Sequence, residues 1–308
     1  MQGISGLTRG GAGLRDAACP FCGGFDLSKS TVMASDTDPP QPLGIVECRR
    51  CAVAWQQRPW RTFATTVKYF SDRYASQEAG TYFDPARRAA VAALEMDWVE
   101  TIATVRGTLL DVGAGDGCIV REAAKRGWIA TGIEPAAVGG DTFSEGGRVI
   151  RGTLHDLPPG AVFDVVTLFD VIEHVDDGLD LLSGARSHVA DSGFVVVETG
   201  NYGSAARIQA GPAWWCYQAE HRWYYTPERL LDILRLAGFH QFHFCPRVLR
   251  PGWSGCPRYA GPSHVRQLAR FLKRPWRALP ESKRYLALRA AMRREYSGIE
   301  IMTIAARP

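Results

Sequence analysis

Two groups of residues in this chain have the types and the spacing to do chemistry. The first is Leu109-Leu110-Asp111-Val112-Gly113-Ala114-Gly115-Asp116-Gly117, an apolar strand running into a glycine-rich turn and then a helix. Open α/β sheets bind ligands at the carboxyl ends of such strands, and glycine lets the backbone come close to the ligand. The spacing is GxGxG, neither the GxGxxG of dinucleotide sites nor the GxxxxGK[ST] of a P-loop. No Lys-Ser or Lys-Thr pair follows to hold a phosphate, and Asp111 and Asp116 would repel one. The turn suits a ligand without a pyrophosphate, and its two carboxylates would favour a positive charge. Glu134 closes the next strand, where an acid can accept hydrogen bonds from both hydroxyls of a ribose. Asp156 follows the third strand and is placed for an adenine amino group. Phe169 and Asp170 come directly after the fourth strand, with His174 four residues beyond, and can line the same cleft.

The second group is two cysteine pairs, Cys19-Pro-Phe-Cys22 and Cys48-Arg-Arg-Cys51. Two CxxC turns brought together supply four thiolates in a tetrahedron. Zn²⁺ prefers that set in structural sites, and a closed site leaves no position open for catalysis. Two disulfides are the competing pairing; the absence of a secretion signal points to a reducing compartment and disfavours them. Cys118, on a predicted helix, reads as core packing.

These motifs must be held by something, and the elements around them alternate. The pattern predicts a helix from Pro85, capped by Asp84, to about Val105, with Val91, Leu94, Trp98, Ile102 and Val105 on one stripe. It then predicts strands at 109–112, 129–134, 149–151, 163–168 and 194–198, interleaved with helices at 116–126 and 176–189. A helix opening at Pro227 and two final strands at 240–247 and 299–305 complete the set. Strands alternating with helices imply a mostly parallel sheet with helices on both faces.

The stretches LLDVGAGDG, Gly132–Pro135, Leu154–Leu157, Phe163–Val175 and the final strand together resemble the class I S-adenosylmethionine (SAM)-dependent methyltransferases. That resemblance covers about residues 105 to 305. It implies a Rossmann-like, mostly parallel seven-stranded sheet and a SAM-dependent methyltransferase activity. It also implies that Gly113, Gly115 and Gly117 pass beneath the methionine and ribose of SAM. Asp111 would then lie near the ligand's amino end, Glu134 at the ribose and Asp156 at the adenine. With the cysteine pairs ahead of it, the chain is similar to zinc-ribbon methyltransferases of saccharide and natural-product pathways. It ends at its last sheet strand, without the large C-terminal domain usual in the sugar C-methyltransferases.

The domain reading that follows is a tail at 1–17, a zinc ribbon at 18–60 and a helical, aromatic connector at 61–106. A methyltransferase domain at 107–308 would carry an aromatic insert at 199–226 and a basic helical insert at 248–297. The aromatic insert holds seven aromatics between Tyr202 and Tyr225, suited to an acceptor pocket or to ordinary packing. Within it, Glu220-His221-Arg222-Trp223-Tyr224-Tyr225-Thr226 resembles the EH…YF[ST] stretch that faces the acceptor in zinc-ribbon methyltransferases. His221 is the first candidate for general base, with Glu220 to orient it and Tyr224 to donate to the acceptor; His174 is the second candidate. A transfer needing only proximity requires no base.

Composition bounds the remainder. The 308 residues are 46% hydrophobic and 22% charged, ordinary for a globular protein, with no long apolar run for a membrane span and no leader-like start. A cytoplasmic location is the expectation. The net charge of +4 hides an excess of 14 Lys and Arg over 3 Asp and Glu in residues 241–308. The basic segment 262–294 would serve a phosphate-bearing or lipid-linked small-molecule acceptor, or a peripheral membrane contact. An RNA methyltransferase is the alternative function. The EH…YYTP stretch argues against it, and no stable nucleic-acid partner is expected.

Overall fold

The computed structural model describes residues 18–59, 62–76, 84–103, 105–136, 141–245, 281–296 and 298–308. The tail at 1–17, the end of the aromatic connector with Tyr82 and Phe83, and the basic stretch 246–280 lie outside them. The chain divides into two compact units.

The first unit gathers Met1–Trp60, Gly200–Asp232 and Ser254–Met302. Its sheet begins with an antiparallel meander of β1 (Leu27–Met33), β2 (Pro42–Cys48) and β3 (Ala54–Gln56). A two-residue strand from the aromatic segment, β10 (Trp223–Tyr224), pairs with β3 and sets Trp223 opposite Trp55. The aromatic segment is therefore a fourth strand of the ribbon sheet. Tyr202, Trp214, Tyr217 and Tyr224 join Leu43 and Ile45 in one buried cluster. A three-stranded ribbon alone has little apolar area to bury, and these rings supply it.

The second unit holds Arg61–Thr199, Ile233–Trp253 and Thr303–Pro308. Helices α1 (Phe63–Ser76) and α2 (Pro85–Ile102) precede β4 (Thr108–Val112), α3 (Cys118–Lys125) and β5 (Ile129–Glu134). Next come β6 (Asp141–Thr142), β7 (Arg148–Arg151), β8 (Phe163–Phe169), α4 (Gly178–Ser187) and β9 (Val189–Gly200). After the short α5 (Ala205–Ala210), α6 (Pro227–Leu236) leads to β11 (Gln241–Phe244). Helix α7 (Glu281–Glu295) then precedes β12 (Ile301–Arg307). The sheet order is β11-β12-β9-β8-β4-β5-β7-β6. From β7 through β9 the ladders are parallel, and β11 runs antiparallel to β12. This is the expected seven-stranded sheet with the two-residue β6 added at its edge. Its central strands read as continuous apolar runs, Leu109-Leu110 and Val195-Val196-Val197, because both faces are covered.

Local signals explain most boundaries. Asp84 caps α2 by accepting from the amides of Ala86 and Arg87 at 2.9 and 3.3 Å, with Pro85 in the first turn. The helix stops at Ile102, and Val105 is 77% exposed beyond it, so it does not extend the stripe. The buried face is Ala92, Glu95, Met96 and Val99 together with Trp98, displaced by one position from the expected one. Strand β9 is longer than expected because Ala190-Asp191-Ser192-Gly193 continues it rather than turning. At Gly193 a side chain would meet the carbonyl oxygen of Asp164 at 2.7 Å, so glycine permits a close strand approach there.

The described part of the basic segment is α7, and two of its arginines meet acids within the first unit. Arg293 pairs with Glu228, and Arg289 lies 3.6 Å from Asp232. Among the described residues, no helix is long and apolar enough to cross a membrane.

Candidate active site

Strand β4 delivers Asp111 and the glycine turn to the carboxyl edge of the sheet. Gly113 has φ +71°, and a Cβ there would lie 2.6 Å from Val171 Cγ2, so the turn and the loop after β8 touch with no room for a side chain. Gly117 ends the turn and leads into α3. Asp116 is held on the outer side of the turn, where Arg88 of α2 donates to its Oδ1 at 2.8 Å.

Two acids lie beneath. Glu134 is buried, and its two oxygens accept backbone amides from Gly115 at 3.0 Å and Ala136 at 2.8 Å. Burial raises its pKa, and those amides oppose the rise. Asp111 is buried too and accepts from Thr167 Oγ1 at 2.7 Å. Desolvation pushes its pKa up to about 7, against the pull of the Thr167 hydroxyl.

These groups open on a cavity of about 440 Å³, within the usual range for small-molecule sites. Asp111, Gly113, Gly115 and Glu134 line it, with Phe169 from the end of β8 and Asp170 and His174 from the loop that follows. Asp170 takes a left-handed φ of +55°, which Asp tolerates better than most residues. Residues that the motifs did not single out also line the cavity, among them Thr66, Phe70 and Tyr74 on α1 and Arg88 on α2. Their signal was present as the i, i+4, i+8 spacing of Thr66, Phe70 and Tyr74, on a stretch read only as an aromatic connector.

Asp156 is placed differently. Its carboxylate closes its own 3-10 turn, accepting from Thr153 N at 2.7 Å and Thr153 Oγ1 at 3.1 Å. Those bonds hold it below the usual carboxylate range. The neighbouring Thr153, Leu154 and His155 line the cavity.

Glu220, His221 and Tyr224 belong to the first unit, and all three are buried. His221 Nδ1 lies 2.8 Å from the carbonyl of Cys216. A carbonyl can only accept, so in the neutral ring Nδ1 carries the proton and Nε2 the lone pair. The same unit brings the four N-terminal cysteines together. Cys19 and Cys51 Sγ are 3.5 Å apart, Cys22 and Cys48 Sγ are 3.6 Å apart, and all four thiols are unbridged. All four sulfurs lie within 4.8 Å of one another. Cys118 is buried at the start of α3, in the core of the second unit.

A family model described as a methyltransferase domain matches residues 82–242. The chain belongs to this methyltransferase family. The ubiquinone biosynthesis O-methyltransferase of Cereibacter sphaeroides (strain ATCC 17025) is 32% identical over 162 residues, 47% of this chain and 66% of that protein. The Azorhizobium caulinodans protein of the same name is 30% identical over 158 residues, 46% of this chain and 62% of its own length. The chain thus spans less than two thirds of the length of the curated relatives it matches, from 41% to 66%. Among solved structures, a 1,6-didemethyltoxoflavin-N1-methyltransferase from Burkholderia thailandensis aligns over 84% of this chain and 96% of its own, at 16% identity and a TM-score of 0.49. A SAM-dependent methyltransferase from Thermotoga maritima aligns over 78% and 99%, at 18% identity and a TM-score of 0.47. The methyltransferase match begins inside the connector and includes α2, so Arg88 falls within the conserved domain's span although no motif marked it.

Proposed function

We propose that the chain transfers a methyl group from SAM to a small-molecule acceptor, an intermediate of saccharide or natural-product biosynthesis. One observation carries this reading: Glu134, pinned by two backbone amides, stands beside a glycine turn on the wall of a cavity of ligand size. The residues fit the donor. A carboxylate has about four lone-pair directions, so Glu134 keeps capacity for two ribose hydroxyls after accepting two amides. Asp111 offers a carboxylate to the positively charged methionine end, and the Gly113–Gly115 turn leaves its backbone bare to the ligand. When bound, SAM supplies a methyl group on a cationic sulfur. The protein's part is to hold the acceptor in line with that bond, exclude water and receive a proton.

His174 takes the proton in this reading, because it stands on the cavity wall with its ring edge-on to Phe70 at 5.8 Å. A second reading assigns the proton to His221, favoured by the Cys216 contact that fixes its Nδ1 as the donor, with Glu220 and Tyr224 beside it in sequence. Replacing His174 with alanine should lower kcat by about 100-fold, the usual scale for a lost general base, and leave S-adenosylhomocysteine (SAH) affinity within about twofold. Single-turnover assays on His174→Ala and His221→Ala decide between the two. Loss confined to His221→Ala moves the role there, and full rates in both remove the base altogether.

A pH dependence follows from Asp111. Its pKa near 7 lies above the ordinary 3.8, so the folded chain keeps a proton that the unfolded chain releases. That contribution to stability is complete below about pH 4 and is lost as pH rises through about 7. Binding of a cationic donor needs the ionised form. SAM affinity should therefore weaken below about pH 7, by up to about tenfold per unit, and level off above it. Calorimetry across that range checks it, and Asp111→Asn should flatten the profile.

The four thiols would hold a structural Zn²⁺. Sulfurs about 2.3 Å from a tetrahedral zinc lie about 3.8 Å from one another, close to the 3.5 and 3.6 Å found. The cavity lining carries both signs, Asp170, Asp176, Asp177 and Asp180 against Arg87 and Arg88, so it does not single out a phosphate-bearing acceptor. The RNA alternative draws on the basic segment, yet Arg289 and Arg293 already face acids of α6. Affinity for RNA that falls steeply with added salt would revive it.

A further inference from the structure

Resting on the reading that gives the proton to His221, we infer that Gln56 and Asp36 of the N-terminal ribbon are positioning residues. They clamp the turn that sets which nitrogen of the His221 ring carries the proton. All three residues belong to the first unit.

The turn runs from Trp215 to Arg222 and is gripped by two ribbon segments. In the loop after β1, the Ser35 hydroxyl donates to the Trp215 carbonyl, and the Ser35 amide donates to the Tyr217 carbonyl at 2.7 Å. Asp36 Oδ1 accepts the Ala219 amide at 2.9 Å. In β3, Gln56 Nε2 donates to the carbonyls of Gln218 and Ala219 at 3.0 and 3.1 Å, and the Gln56 amide donates to that of Arg222 at 3.0 Å. The peptide between Gln218 and Ala219 is thus held at both poles, its oxygen by Gln56 and its N–H by Asp36. A trans peptide is planar and points those groups in opposite directions, so the unit cannot turn without breaking one of the two bonds. Gln56 is 1% exposed, a depth at which a side-chain amide is kept only with its bonds made.

That peptide is tied to the ring. The Gln218 amide donates to the Cys216 carbonyl at 3.0 Å, and the His221 amide donates back to the Gln218 carbonyl at 3.2 Å. The Cys216 carbonyl so placed lies 2.8 Å from His221 Nδ1. It can only accept, so the proton sits on Nδ1. A rival stands beside it: Cys216 Sγ lies 3.5 Å from the same nitrogen. A thiol is a weak donor, but with the carbonyl swung away it would donate to Nδ1, and the ring proton would move to Nε2. In that form Nε2 has no lone pair and takes no proton from an acceptor. The clamp therefore decides whether His221 works as a base.

The test uses the full zinc-loaded chain labelled with ¹⁵N at histidine and reads the ring nitrogens of His221 by NMR, above the pH at which the ring loses its charge. His221→Gln identifies its signals. The unaltered chain should show the Nδ1–H form. Gln56→Met, close in shape but without a donor, and Asp36→Ala should each lower the Nδ1–H share to about a fifth, because an unconstrained neutral ring favours Nε2–H and the thiol adds to that preference. Signals of the other histidines should stay in place. Asp36→Asn, which keeps an oxygen for the Ala219 amide, should restore the Nδ1–H form, and the Asp36 pair decides if Gln56→Met folds poorly. An Nε2–H ring in the unaltered chain overturns the inference, as does an unmoved ring signal in Asp36→Ala. A second arm follows label from methyl-labelled SAM into a small-molecule extract of host cells. Asp36→Ala should slow transfer about fivefold, in proportion to the lost Nδ1–H share, with SAH affinity within about twofold. Added to His221→Ala, it should lower the residual rate no further; a further loss marks a structural role and overturns the inference. Full transfer by His221→Ala overturns the reading of His221 as the base, a failure distinct from an unmoved ring signal.

Discussion

Replacing Gly115 with arginine is expected to abolish binding of both SAM and SAH, leaving no measurable heat on titration with either. Three effects act together. Gly115 sits at φ +55°, where a side chain costs about 1–2 kcal/mol. A Cβ there would stand 3.1 Å from Tyr74 Oη and 3.5 Å from Arg88 Nη2, so a second guanidinium would be forced against the one that holds Asp116. The amide of Gly115 also donates to Glu134 Oε2 at 3.0 Å, and a rotated peptide would release the acid proposed to hold the ribose. The backbone cost alone predicts about a tenfold loss in Gly115→Ala, since roughly 1.4 kcal/mol is a factor of ten. The arginine variant should lose at least about 100-fold, with the far-UV spectrum unchanged because Gly115 itself is only half-buried. Normal SAH affinity in Gly115→Arg would mean that this turn is not where the donor lies.

The glycine turn and the strand order were legible because backbone geometry demands particular residues there. Only glycine fits against Val171, and only apolar runs survive between two helical layers. Asp156 marks where such reading stops. Its type and position suit an adenine contact, but a carboxylate two or three residues from free amides can cap its own turn, and sequence does not say which bond it makes. Helix α1 was hidden for another reason. Thr65, Thr66 and Val67 are β-branched and Tyr69 and Phe70 aromatic, so local propensity favours no helix. The element is decided by what Thr66 and Phe70 pack beside. The aromatic segment offered two readings, pocket or packing, and its rings fill the core of the ribbon sheet. The deciding contact is the pairing of Trp223 with Trp55, which joins residues 168 positions apart and leaves no local trace.

Removal of the proposed zinc is the second large effect expected, and Cys48→Ser is the variant that isolates it. Cys48 is fully buried beside Cys22, and a serine there cannot complete a tetrahedral thiolate set. Structural zinc contributes an apparent 10–16 kcal/mol or so in small metal-folded domains, comparable with the roughly 5–15 kcal/mol that stabilises a whole domain. The knuckle also frames the aromatic segment. Phe21, between Cys19 and Cys22, meets Trp223 edge-on at 5.4 Å and Tyr225 at 6.1 Å. Gln56 donates through its backbone amide to the Arg222 carbonyl at 3.0 Å, and through Nε2 to the carbonyls of Gln218 and Ala219 at 3.0 and 3.1 Å. Without the metal, the backbone on either side of Glu220 and His221 loses those anchors. Cys48→Ser should therefore bind no zinc, against one ion per unaltered chain, and should lose most of the near-UV signal from Trp55, Trp214 and Trp223. SAH should still bind, because every cavity residue assigned to the donor belongs to the second unit. Methyl transfer in that variant then separates the two histidines: turnover that persists with SAH binding supports His174, and turnover lost while SAH binding survives supports His221. A purified chain that holds no zinc, or a Cys48→Ser protein with an unchanged near-UV spectrum, would remove the metal from the structure of the ribbon.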